Sequence, residues 1–133
     1  MWLNTTLTFY YICFSRIDLY RVTYDSENYR LISEQLMVDH RRILDNNRAQ
    51  LLDDAFVLAS VHMLPYKSAL DLSLYLKYEK EYVPWNAVLS ELGYIDSMLY
   101  NQPQFSHWNV YIAYFFFFNF CDVILELFGH RIT

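Results

Sequence analysis

From Asp25 to Leu99 apolar side chains recur every three or four positions, the spacing that collects them on one face of an α-helix. Four helices follow from that period. Asp25 or Ser26 offers a side-chain oxygen to cap the first; Glu27 favours the dipole in its first turn, and Tyr29, Ile32 and Leu36 share its inner face. The second follows Asp45-Asn46-Asn47. Its stripe is Ala49, Leu52, Ala55, Phe56, Ala59 and Met63, with small residues for close approach, and Arg48, Asp53 and Asp54 lie opposite. Pro65 marks the start of the third, since a proline lacks only a donor that the first helical position leaves unused, and Leu70, Leu74 and Tyr78 carry its face. Pro84 opens the fourth in the same way, with Trp85, Val88, Leu89, Leu92, Ile95 and Leu99 inward and Gly93 as the weak point. Ahead of the helices, Leu19 to Tyr24 alternates and is rich in aromatic and β-branched residues, which predicts one short strand.

The fold class predicted is mainly α: antiparallel helical hairpins after one short N-terminal strand. The residue pattern leaves two arrangements open, a bundle or part of an α-solenoid, and shows no internal repeat of a known class. Two glycines and three prolines in 133 residues are too few for the turns of a many-stranded sandwich. Charge then divides the chain. No charged residue precedes Arg16 and none lies between Asp96 and Asp122. Residues 16 to 106 hold 9 of the 10 basic and 13 of the 15 acidic groups, whereas 1–14 and 108–120 hold 13 of the 26 aromatics. The boundaries expected are an atypical N-terminal tail over 1–18, a strand or hinge over 19–24, a helical domain over 25–106 and an aromatic C-terminal tail over 107–133.

Net charge of −5 leaves no basic field for phosphates, and Arg41-Arg42 is too short to act as a patch, so nucleic acid is not an expected partner. No catalytic, cofactor-binding or metal-ligating residue is expected. His40, His62, His107 and His130 lack a second ligand at metal-binding spacing. Cys13 and Cys121 cannot complete a four-ligand zinc site and have no neighbouring base to activate a thiol. Asp53 and Asp54, adjacent on a helix, point about 100° apart, so a polar face or a helix-to-helix salt bridge is expected of them rather than acid/base work. There is no Gly-rich phosphate loop. The sequon Asn4-Thr5-Thr6 carries little weight, and Met1 to Ser15 lacks the basic residue of a secretory leader. Residues 110–128 have the length of a short membrane span but include Asn119, Asp122 and Glu126; a terminal element packed on a partner surface is the other reading.

Three segments carry a resemblance. Leu19-Tyr20-Arg21-Val22-Thr23-Tyr24-Asp25 with Glu27-Asn28-Tyr29 resembles the hinge between the small β-sandwich and the C-terminal helical domain of the zinc aminopeptidase family, which includes aminopeptidase N, the endoplasmic reticulum aminopeptidases and the puromycin-sensitive enzyme. Asn47-Arg48-Ala49-Gln50-Leu51-Leu52-Asp53-Asp54-Ala55-Phe56 resembles that family's second helix. Glu79-Lys80-Glu81-Tyr82-Val83-Pro84-Trp85 with Tyr94-Ile95-Asp96 resembles its fourth. The resemblance covers about residues 19 to 105 and implies part of an α-solenoid that closes over a zinc-bearing catalytic domain and encloses a peptide substrate. It implies peptide and catalytic domain as partners, and zinc only in the full-length enzyme, because the His-Glu-x-x-His and Gly-x-Met-Glu-Asn motifs are not in this sequence. The expectation is therefore a fragment, inactive alone, with no cofactor of its own; the alternatives are a non-catalytic helical interaction protein and a membrane-anchored remnant. Family members occupy plasma-membrane, secreted, endoplasmic reticulum and cytoplasmic locations, so the resemblance does not choose one. Asp18 replaces a family glycine, and the uncharged ends depart from the family pattern as translated intron sequence would. Exposed apolar faces of half a solenoid predict self-association.

Overall fold

The computed structural model describes Arg21 and residues 23 to 129, with 118 to 129 as backbone only. Five α-helices follow one another: α1 (Ser26–Asp39), α2 (Asp45–Ser60), α3 (Tyr66–Ser73), α4 (Tyr82–Leu99) and α5 (Phe105–Gly129). Short 3-10 segments, His40–Arg42 and Leu74–Tyr78, follow α1 and α3. The domain is mainly α, as expected. The strand predicted over 19–24 lies largely outside the described residues; Arg21, Thr23 and Tyr24 within it carry no regular secondary structure.

The helices pack chiefly on their next-but-one, α1 on α3 and α2 on α4, with α2 also on α3 and α4 on α5. α1 contacts α3 and the 3-10 segment that extends it, which in turn contacts α5, while α2 packs most extensively on α4. The odd-numbered helices thus form one layer and the even-numbered helices a second, joined by α2 against α3 and α4 against α5. That is the packing of an α-solenoid rather than of a closed bundle. Between the layers lies one core, in which Leu36, Leu52, Phe56, Leu72, Tyr75, Leu76 and Val88 are at most 1% exposed. Each such aliphatic or aromatic side chain contributes roughly 1.5–3 kcal/mol through burial.

The ends of the helices follow local rules with two adjustments. Asp25 caps α1, its side chain accepting from the Asn28 amide at 2.7 Å. Tyr29, Ile32 and Leu36 are buried along that helix as expected. α4 begins at Tyr82, two residues before the predicted start, because any residue in the first turn lacks an intrahelical acceptor and Pro84 is as well tolerated third as first. α2 ends in a Schellman turn: the Met63 amide donates to Leu58 O at 2.9 Å and the His62 amide to Ala59 O at 3.1 Å. His62 takes the left-handed conformation that closes this turn (φ 62°).

Three predicted faces are corrected by the packing. Of the predicted Leu70–Leu74–Tyr78 face, Leu70 packs against the core, but α3 winds tighter after Ser73 and the three-residue period carries the face of Ala69 and Leu72 on through Tyr75, leaving Leu74 and Tyr78 about half exposed. α2 is wrapped by α3 and α4, so burial spreads beyond its stripe to Arg48, Leu51, Asp54 and Leu58, whereas Met63, past the helix end, is exposed. Leu89 of α4 also lies toward solvent. At the C-terminal end the aromatic segment joins the core. Trp108 and Phe115 are buried, and Trp108 donates from Nε1 to Asp96 Oδ1 at 3.0 Å, tying α5 to α4. Trp108, Tyr111 and Phe115 stack along α5 with centroids 5.7 and 6.2 Å apart, and Phe115 meets Trp85 edge-on at 6.4 Å. Val110, Tyr114 and Phe117 form the exposed row of the same helix.

Gly93 sits inside α4, on the solvent side, and a Cβ built there meets nothing within 4 Å. Gly93→Ala is therefore expected to stabilise the domain by about 0.5–1 kcal/mol through reduced chain entropy of the unfolded state. The check is a higher urea midpoint at an unchanged m-value.

Candidate functional site

The charged residues that pack inside the domain form two clusters. The first joins the α1–α2 connection to the α3–α4 connection. Arg48, on α2, donates from Nε to Glu79 Oε2 at 2.6 Å and from Nη2 to Oε1 at 3.0 Å, a fork-to-fork pair whose side chains are 5% and 0% exposed. Its Nη1 donates to the carbonyls of Ile43 and His40, closing the turn before α2. Glu79 accepts three more hydrogen bonds, from Tyr75 Oη and from the backbone amides of Lys80 and Glu81, each at 3.1 Å. Its own carbonyl takes the Trp85 indole N–H at 3.2 Å. One carboxylate thereby organises the entry to α4, where the N-cap residue Glu81 makes no side-chain cap.

Electrostatics follow from that geometry. Burial pushes the Glu79 carboxyl up, but the guanidinium and the donated N–H groups outweigh it and hold its pKa below the ordinary value. Burial opposes the charge on Arg48 too, and the Glu79 carboxylate overcomes it, so the guanidinium pKa rises. Tyr75 is pushed up by burial and by the adjacent carboxylate. His40, whose ring lies 5.8 Å from that of Tyr75, is pushed down by burial, with Arg48 and Arg41 acting in the same direction. A cleft of about 280 Å³ opens above the pair, bordered by His40, Arg41, Tyr78, Lys80 and Glu81. A carboxylate bonded by five donors and held in its charged form is a poor proton acceptor, so this is a structural centre rather than an acid/base pair.

The second cluster lies where the chain enters the helices. Arg21 Nη1 reaches Asp53 Oδ2 at 2.5 Å and Asp54 Oδ1 at 3.2 Å. Asp54 is buried and also accepts from Gln50 Nε2 at 3.0 Å, while Asp53 is about a third exposed. Glu91 of α4 stands near enough to feel both: burial and Asp53 raise its pKa, and Arg21 lowers it. The Asp53 hydrogen bond is the main cause of a raised Arg21 pKa. Adjacent helix positions diverge by about 100°, yet these two side chains have reach enough to converge on one guanidinium nitrogen, and the salt bridge expected of them forms with the incoming chain rather than with another helix.

Other candidates do not converge. His62 and His107 are exposed, and Arg41 and Arg42 lie on the surface. Cys13, His130 and the sequon Asn4-Thr5-Thr6 lie outside the described residues, as does the Cys121 side chain. Among the described residues no group of three or more His, Cys, Asp or Glu side chains is placed to hold a metal ion, so these residues do not fit a zinc centre. Also among them, no helix is long and apolar enough to cross a membrane; much of the 110–128 stretch rests on side chains beyond 117. Sequence reasoning placed Arg48 on a polar face and gave Glu79, Tyr75 and Arg21 no role. The signal available for Arg48 was its spacing four residues before Leu52, on the stripe that continues through Ala55 and Ala59.

A family model for the ERAP1-like C-terminal domain matches residues 16–119. Human (Homo sapiens) aminopeptidase N is 51% identical over 79 residues, 59% of this chain and 8% of that protein. Bos taurus glutamyl aminopeptidase is 46% identical over 82 residues, 62% of this chain and 9% of the relative. Aminopeptidase N of the moth Plutella xylostella is 46% identical over 80 residues, 60% and 8%. The chain thus spans less than a tenth of the length of these relatives.

Removing either partner of the buried pair leaves an uncompensated charge. Arg48→Ala and Glu79→Ala are each expected to destabilise the domain by about 3–5 kcal/mol, enough to unfold a marginal domain. The pH dependence has a definite sign. A carboxyl whose folded-state pKa lies below its unfolded value of about 4.3 contributes stability that is complete above that value and lost as pH falls through the folded one. Thermal unfolding between about pH 5 and 2 should show the loss, with a shallower slope in Glu79→Gln.

Proposed function

Since the chain belongs to the ERAP1-like C-terminal domain family, we propose that it supplies part of the helical domain of a zinc-dependent aminopeptidase, the part that encloses the peptide and closes on the catalytic domain. The observation that carries this is the family match over 16–119, supported by the 51% identity to human aminopeptidase N and by helices stacked in two layers, an arrangement that extends indefinitely and lends itself to a curved wall. In this reading the chemistry belongs to a catalytic domain elsewhere in the longer protein. The role of these residues is shape: the Arg48–Glu79 pair fixes two connections, and α5 adds the last described wall element. No residue here is assigned to zinc or to the scissile bond.

A second reading, a non-catalytic helical interaction protein, draws support from the exposed row Val110, Tyr114 and Phe117, each about two-thirds exposed. Such a row on a helix of aromatic composition favours a partner or a second copy. The membrane-anchored alternative rests on residues 110–128, whose length in sequence suits a short span.

A chimera tests the first reading. The 79 aligned residues of human aminopeptidase N are replaced by their counterparts from this chain, and release of N-terminal residues from an aminoacyl amide is measured. Activity within about tenfold of the parent is expected, that is, a loss below about 1.4 kcal/mol in transition-state stabilisation. A chimera that folds and matures yet turns over no substrate overturns the proposal. Pure chain on its own is expected to release nothing, with or without added zinc.

A further inference from the structure

The cluster around Arg21 joins residues 32 and 33 positions apart. Asp54 lies in α2 with its side chain 2% exposed and toward the incoming chain, where Gln50 fixes one of its oxygens. Asp53, on the same turn, and Glu91, across on α4, make the surroundings strongly anionic. Into this notch the chain ahead of α1 delivers one guanidinium, whose Nη1 meets both aspartates. Tyr24, packed edge-on against Tyr29 at 5.6 Å, and Asp25, capping α1, continue the same docked path.

From this geometry we propose that Arg21 is an electrostatic latch: it seats the segment leading into the helices on the acidic notch of Asp53, Asp54 and Glu91. The latch is built for release. Its cation is 42% exposed and its outer aspartate 36%, so salt screens this contact, unlike the fully enclosed Arg48–Glu79 pair. Asp54 keeps its bond from Gln50 when the arginine leaves. The latch does not depend on the aminopeptidase reading: it is a property of this chain and is tested on it alone.

The test is limited chymotrypsin digestion of the full chain, following cleavage after Tyr24 and after the exposed Tyr100, which serves as internal reference. Cleavage after Tyr24 requires the segment to leave the notch. Arg21→Ala is expected to speed it about fivefold to tenfold relative to Tyr100, and Arg21→Lys, which keeps one cationic nitrogen, to restore most of the protection. Raising sodium chloride from about 0.05 to 0.5 M should speed Tyr24 cleavage in the unaltered chain and leave Arg21→Ala unchanged. Asp54→Asn should accelerate cleavage in the unaltered chain but add nothing to Arg21→Ala. Equal Tyr24 rates with and without the arginine, or insensitivity to salt, overturn the latch. The salt arm needs no variant and so survives a substitution that fails to fold. Failure of the chimera above with a working latch, or the reverse, separates the two proposals.

Discussion

The fork between Arg48 and Glu79 is the constraint to which the rest of this domain is fitted. A guanidinium and a carboxylate withdrawn from water are tolerable only when nearly every donor and acceptor finds a partner. Meeting that demand gathers three separate pieces of chain around the pair. The carbonyls of His40 and Ile43 fix the connection before α2, Tyr75 fixes the tightened end of α3, and the amides of Lys80 and Glu81 fix the approach to α4. Apolar burial supplies more free energy in total, but it is indifferent to small shifts in register. The ion pair is not, because a displacement of an ångström would leave a buried charge unmatched.

Around that fixed point the two layers are free to be packed by size and shape. Small residues on α2, Ala49, Ala55 and Ala59, let α4 approach closely, and large ones from α3 and its 3-10 extension fill the space between the layers. The aromatic seam of α5 continues the pattern with different material. Trp108 finds an acceptor in Asp96, so a polar indole edge can be buried, and Tyr111 and Phe115 extend the stack one turn at a time. A stretch without charge in sequence is thus apolar on both faces, one serving the core and the other open.

How much of this was legible depends on how many sides of a helix are covered. α1 has one buried side, and Tyr29, Ile32 and Leu36 were readable from spacing alone. α4 was readable for the same reason, apart from Leu89. α2 is covered on more than one side, so a single stripe could not describe it, and its buried Arg48 and Asp54 looked like a solvent face. α3 changes period partway, which moves the inner face by one position and defeats a reading at 3.6 residues per turn. Tyr75 and Glu79 could be seen to lie one turn apart, but nothing local says that a partner arrives from 31 residues upstream. The resemblance of Asn47 to Phe56 and of Glu79 to Trp85 to family segments marked both halves of the pair without saying that they meet.

That separation bears on how the chain reaches its native state. Helices packed on near neighbours in sequence assemble through short-range encounters, which keeps contact order low and folding fast. Arg48 and Glu79 depart from that economy: closing a loop of their length costs on the order of 3 kcal/mol in chain entropy before any bond is made. The ion pair thus adds long-range order at the two connections it ties down, on top of the equally distant packing of α2 on α4.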